Sequence, residues 1–219
     1  MKIKIMSDLL LFLTKSLIIA DKGKKFYLNF KQKVKRHLRD IIPNVPDIGD
    51  SIFKSSYLMG VFYIAWYKAF LDLGISSDEA NRWIWIATEN ALKKIPASFI
   101  GFAKKLYLGS MLKKAESHTA KSKAGTLPEY DWNINYVKLD ENSFRLDTYE
   151  CGIKKLCEKF GTQTMLPSLC RMDYLTAHYL KHDFERTKTI GDGDNVCNNK
   201  FSFVGSCEWS PEKGFEYRK

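Results

Sequence analysis

Cysteine, histidine and proline are all scarce in this chain, and each scarcity removes a class of explanation. Of 219 residues, five are cysteine, four histidine and six proline. The cysteines (Cys151, Cys157, Cys170, Cys197 and Cys207) fall in the last third, irregularly spaced and odd in number. That is not the pattern of a disulfide framework. No two stand two to four residues apart, as structural zinc ligands usually do, so a zinc site would have to be assembled across the fold from Cys151, Cys170 and Cys197. Histidine offers little acid or base chemistry. His178 lies just over two helical turns past Cys170, about 12 Å along the axis, and reads as a helix-surface residue; His182 is no more persuasive.

Long apolar runs are missing too. The opening "MKIKIMSDLLLFLTKSLIIADKGKK" is interrupted by Asp8 and Lys15, and no small-residue cleavage site follows. It reads neither as a secretory signal nor as a membrane span, which would need about 20 apolar residues. An amphipathic first helix in a cytoplasmic protein is expected, with residues 1–39 free to touch a membrane from outside.

Acidic residues are sparse in one half only. Residues 1–125 carry 22 Lys/Arg against 10 Asp/Glu, whereas residues 126–219 carry 13 against 15, and the whole chain has a net charge of +10. The stretch "DKGKKFYLNFKQKVKRHLR" concentrates that excess. A solvated helix face and a contact with an anionic membrane both fit it; nucleic acid ranks last, because no aromatic and basic pattern of a nucleic-acid module accompanies it.

What is present is enough to fold. Apolar residues make up 45% and aromatics 14%, so the chain can bury enough surface to offset its conformational entropy. The length fits one domain, 1–219, with a helical half (1–125) and a mixed half (126–219). In the first half, "SSYLMGVFYIAWYKAFLDLG" spaces Leu58, Phe62, Trp66 and Phe70 by four, and Gly74 stops the helix. Ser76 and Glu79 have capping-box spacing at the head of the next, which ends before Pro96. A fifth helix from Pro96 to about Ala120 would carry Phe99, Phe102, Leu106 and Leu108 as its apolar positions.

From Trp132 the period changes to two. Trp132, Ile134 and Tyr136, then Phe144, Leu146 and Thr148, form a hairpin across "LDEN". Short helices over 151–162 and from Pro167 to Leu180 follow, then strands 184–190 and 196–204 joined by "GDGDN". The fold class is α+β, helices packed with an antiparallel sheet. "GDGDN" fits neither a calcium loop, whose twelfth position from Asp192 would be Phe203 instead of glutamate, nor a dinucleotide turn, which opens a helix. As a hairpin connection, Gly191 and Gly193 would supply positive φ.

Three cysteines stand at junctions: Cys151 between strand and helix, Cys170 in a helix's first turn, Cys197 at a strand start. Buried, inert thiols are the ordinary reading. A helix amino terminus lowers a thiol's pKa, so Cys170 is the expected thiolate, with Asp173 on the same helix face. Arg186 reads either as an inward carboxylate fork or as an edge-strand surface charge.

In order, "DW" (131–132), "YECGI" (149–153), "PSLCRMDY" (167–174) and "ERTKTIGDGDNVC" (185–197) resemble the L-2-amino-thiazoline-4-carboxylic acid hydrolase family, and the similarity extends upstream to "PDIGD" (46–50). One departure is visible. The family's last motif usually runs Cys-Asp-Phe-x-Phe, and here it is Cys197, Asn198, Asn199, Lys200, Phe201, so any base or ligand role carried there in relatives is in question.

The resemblance implies hydrolytic opening of 2-amino-thiazoline-4-carboxylate to N-carbamoyl-cysteine, with no cofactor. On that reading Cys170 attacks or orients water, Asp173 is acid and base, and Arg186 takes the substrate carboxylate. Cys151, Thr187, Thr189 and Cys197 line the site. A non-catalytic small-ligand-binding protein on the same fold is the alternative.

Overall fold

A computed structural model describes residues 2–208; residues 209–219, counted above with the mixed half, lie outside the described residues. The apolar spacing of the first half builds five helices: α1 (Lys2–Lys22), α2 (Lys24–Ile41), α3 (Lys54–Leu71), α4 (Ser77–Lys93) and α5 (Ala97–Lys123). Gly23, at φ 87°, turns the chain between the first two. In α2, Tyr27, Phe30, Val34, Leu38 and Ile41 recur every three or four residues and are buried. Helix α3 is central: every residue from Gly60 to Tyr67 is buried. Ser76 caps α4, its hydroxyl accepting from the Glu79 N–H at 3.3 Å.

Helix α5 departs from expectation at its start. Its buried side chains begin at Leu108 and continue through Met111, Ala115 and His118. Phe99, Phe102 and Leu106 face outward, 59%, 64% and 60% exposed. Regular spacing marks an apolar face without saying what covers it, and here the first turns of α5 carry that face away from the core.

The second half forms a four-stranded antiparallel sheet in the order β1 (Asn133–Lys138), β2 (Ser143–Glu150), β4 (Cys197–Ser202), β3 (Asp183–Glu185). Ile134, Phe144, Leu146, Phe184 and Phe201 are buried on it. Helices α6 (Gly152–Phe160), α7 (Leu166–Cys170) and α8 (Met172–Leu180) lie between the second and third strands. Gly161, in the left-handed region at φ 66°, ends α6. The architecture is α+β, as the sequence indicates. No helix among the described residues is long and apolar enough to cross a membrane.

Two expected elements are shorter than their patterns. The helix from Pro167 to Leu180 is broken at Arg171, which closes α7 and opens α8. The strand expected over 184–190 pairs with β4 only through Glu185. Beyond it, side chains take the donors a ladder would use: Asn198 Oδ1 accepts from the N–H groups of Thr187 (3.0 Å) and Lys188 (2.8 Å), and Asp194 Oδ2 from that of Thr189 (2.8 Å). Residues 186–196 therefore form a loop, with one 3₁₀ turn at Ile190–Asp192, instead of a tight hairpin.

Candidate active site

The loop that replaces the strand folds back over the junction of α7 and α8, and this brings Cys170, Asp173 and Arg186 together. Arg186 is buried, its side chain 2% exposed. One terminal nitrogen donates to Asp173 Oδ2 at 2.9 Å and more weakly to Asn199 Oδ1 at 3.4 Å; the other donates to the Cys170 carbonyl at 2.6 Å. The guanidinium also lies 5.4 Å from the ring centres of Tyr174 and Phe184. Its Nε–H is buried and has no partner among the described residues. Of the two readings open for Arg186, the inward one holds, but both arms of the fork are occupied by protein.

Asp173 has one hydrogen bond to its carboxylate among the described residues, from Arg186 on Oδ2, which leaves Oδ1 open. Its side chain is 37% exposed although protein surrounds it. Tyr107, Cys151 and Cys170 are partly exposed as well. These side chains, grouped beside the buried Arg186, are taken together as the candidate recess. Burial pushes the Asp173 carboxyl above its ordinary value, with Arg186 opposing. Burial and the Asp173 charge also raise the Tyr107 hydroxyl.

Cys170 ends α7 and does not occupy a helix's first turn, so the helix-terminus argument for a thiolate fails. Burial instead pushes its thiol up to about 11, against the pull of Arg186 and a hydrogen bond with Thr189. Cys151, at the amino end of α6, is likewise raised by burial. Both rest as thiols at neutral pH. Cys197 starts β4 as expected, with Sγ 3.4 Å from Thr189 Oγ1 and 3.2 Å from the Ile190 nitrogen. The three thiols are close enough to act on one another's ionisation. Yet no group of three or more His, Cys, Asp or Glu among the described residues is placed to hold a metal ion, which gives the zinc reading no geometric support.

Thr189 is fully buried, and its hydroxyl also accepts from the Gly191 N–H at 3.3 Å. Thr187 is exposed and is held by Asn198, whose Nδ2 donates to its hydroxyl at 2.7 Å. The alternation that would have put both threonines on one face ends with β3. The GDGDN turn is corrected in the same way: only Gly193 has positive φ, at 96°. Gly191 is needed for another reason, because a Cβ there would stand 2.5 Å from Cys170 Sγ. Two open grooves lie away from this recess, about 510 Å³ between α1 and α2 and about 590 Å³ beside the end of α8.

A model of the L-2-amino-thiazoline-4-carboxylic acid hydrolase family matches residues 57–201, about two thirds of the chain. The chain belongs to that family. The matched span holds Cys151, Cys170, Asp173, Arg186 and Cys197, but begins after "PDIGD", which lies outside it. No curated protein matches. A solved structure from work on the function of haem distortion in the H-NOX family aligns over 89% of this chain and 93% of its own, at 12% identity and a TM-score of 0.32. A likeness that low carries no argument.

Several residues of this candidate site were not singled out by sequence reasoning. Tyr107 sits in the recess, but nothing in the α5 pattern separates it from neighbouring apolar positions. Asn199 adds an acceptor for Arg186. Arg171, 3% exposed, grips both oxygens of Asp192 at 3.0 and 3.1 Å and so ties the 3₁₀ turn to the α7–α8 junction. His178 is exposed on α8, as its spacing indicates, whereas His182 follows that helix and is fully buried.

Proposed function

We propose that this protein hydrolyses a small cyclic amidine-like substrate, 2-amino-thiazoline-4-carboxylate being the first candidate, with Asp173 as the acid and base. One observation carries the reading: a carboxylate lines a recess with one oxygen held by a buried arginine and the other open. In the protonated, amidinium form of such a substrate the ring nitrogen and exocyclic amine make a planar pair of donors, the natural complement of a carboxylate.

In this mechanism Asp173 takes a proton from water as the water oxygen bonds to the ring carbon between sulfur and nitrogen. The C=N electron pair passes to the protonated ring nitrogen; the carbon–sulfur bond then breaks as the new hydroxyl becomes the urea carbonyl and gives its proton to solvent, and sulfur leaves as a thiol with the proton that Asp173 returns. Cys170, resting as a thiol, walls the recess; direct attack would first require its proton to be removed beside an existing carboxylate. Incubation of the pure protein with the thiazoline acid should release one thiol per substrate consumed. Asp173→Asn should lower kcat by about 10²–10⁴-fold, the usual range for a lost acid–base group. Substrate that binds without release of thiol would overturn the hydrolase reading in favour of a binding protein.

A further inference from the structure

The helical layer exposes more apolar surface at one end than its own packing accounts for. On α1, Ser7, Leu10, Leu11, Thr14 and Ile18 face the core. Ile5, Leu9 and Phe12, spaced by four and three, form a stripe on the opposite side and are 61%, 55% and 73% exposed. Asn90 Nδ2 donates to the Leu13 carbonyl at 2.7 Å, and Lys22 meets Glu79 at 2.5 Å. These contacts set α1 and α4 antiparallel, so the Ile5 end lies where α4 finishes and α5 starts, and the start of α5 is where Phe99, Phe102 and Leu106 are exposed.

The stripe has a basic border. Phe12 and Leu28 line the groove between α1 and α2 together with Lys15, Lys24, Lys31 and Lys35. Lys35 reaches Asp8 at 3.6 Å; no ion pair engages Lys15, Lys24 or Lys31 among the described residues. Such a border disfavours a cationic partner and suits an anionic one. Large side chains exposed this far suit a partner into which they can insert. A lipid surface supplies both, with acidic head groups above hydrocarbon.

We propose that this end of the protein docks on an anionic bilayer, with Ile5, Leu9 and Phe12 at the head-group boundary and the lysines among the head groups. The docking site is separate from the recess around Asp173, so either reading can fail without the other. The full chain should float with vesicles of phosphatidylcholine containing about one third phosphatidylglycerol at least about tenfold more than with phosphatidylcholine alone. Raising salt from about 0.1 M to about 1 M, which shortens the screening length from about 10 Å to about 3 Å, should remove most of the difference.

Leu9→Asp with Phe12→Asp, and separately Lys15→Glu with Lys24→Glu, should each abolish flotation while leaving the melting temperature unchanged, since all four positions are exposed. Equal, salt-insensitive partitioning to both vesicles overturns the proposal. So does flotation that survives both pairs of substitutions. A dimer in sedimentation that the aspartate pair disperses, with no vesicle binding, would overturn it too and assign the stripe to a second copy of the chain.

Discussion

Gly191 stands where any side chain would collide with Cys170: a Cβ built on it would lie 2.5 Å from the sulfur and 3.3 Å from the cysteine Cβ. The loop over 186–196 is therefore seated directly on the end of α7, and that seating keeps the Cys170 thiol from open solvent. Gly191→Ala should destabilise the protein by about 1–3 kcal/mol, the usual cost of overpacking. For a chain of this size that is a fall of roughly 2–4 °C in melting temperature per kcal/mol. Adding Cys170→Ala should restore most of the loss. A single variant that melts like the wild type would mean the loop does not rest on the thiol.

Stability should also weaken in mild acid because of His182. Its Nδ1–H donates to the Asp183 carbonyl at 3.0 Å, its Nε2 is buried without a partner, and burial lowers its pKa from 6.5. The hydrogen bond to the Asp183 carbonyl favours a second proton more than Lys104 opposes it, but burial is the largest influence and sets the direction. With the folded pKa depressed, the unfolded chain binds the extra proton first. Stability present above pH 6.5 is then lost as pH falls toward the folded value, by at most about 1.4 kcal/mol per pH unit. Thermal melts from about pH 7.5 to about pH 5.5 should show that slope in the wild type and a shallower one in His182→Asn, which keeps a donor for the Asp183 carbonyl. Parallel slopes would remove His182 as the cause.

Much of the fold was legible because one signal fixed it. The buried stripe of α2, the Ser76 cap and the period-two pairs of β1 and β2 each rest on neighbours in sequence. Where sequence and structure part, a distant side chain intervenes. The alternation over 184–189 reads as strand, yet Asn198 and Asp194 capture its backbone donors, and the helix from Pro167 breaks where Arg171 turns to grip Asp192. For the site, Cys170, Asp173 and Arg186 were legible through the order of motifs, and the structure brings them together. Their geometry was not legible: that Arg186 spends both arms on protein, or that Tyr107 shares the recess, depends on how four elements meet.

The Asn198 departure from the family pattern gains a physical meaning from its contacts. Its Oδ1 accepts from two backbone N–H groups, and its Nδ2 donates to a hydroxyl that could equally well donate in return. An aspartate would make the same three bonds, so the position clamps the loop and does not require an acid in the recess. Asn198→Asp should stay within about 0.5 kcal/mol of wild-type stability and keep its thiol-release rate. Asn198→Ala should cost about 1–3 kcal/mol through the unpaired backbone groups. If the aspartate variant turned over much faster, the position would have to be counted as chemical.

Arg186 should act on the reaction through Asp173. It is the charge that draws the Asp173 carboxyl down against the upward push of burial, and it fixes which oxygen stays open. If the ionised carboxylate is the base, activity falls as pH drops through the Asp173 pKa, and loss of the guanidinium must move that limb to higher pH. Arg186→Met should therefore shift the acid limb of kcat upward as well as lower its plateau. Arg186→Lys retains the charge but only one arm of the fork, so it should show a smaller shift with a similar loss of plateau rate. Because removal of one partner of a buried pair costs about 3–5 kcal/mol, the rates must be read at a temperature where melts show each variant folded. A lower plateau with an unmoved acid limb would mean that Arg186 holds the recess together without tuning Asp173. An acid limb that also survives Asp173→Asn would take the base role away from Asp173 itself.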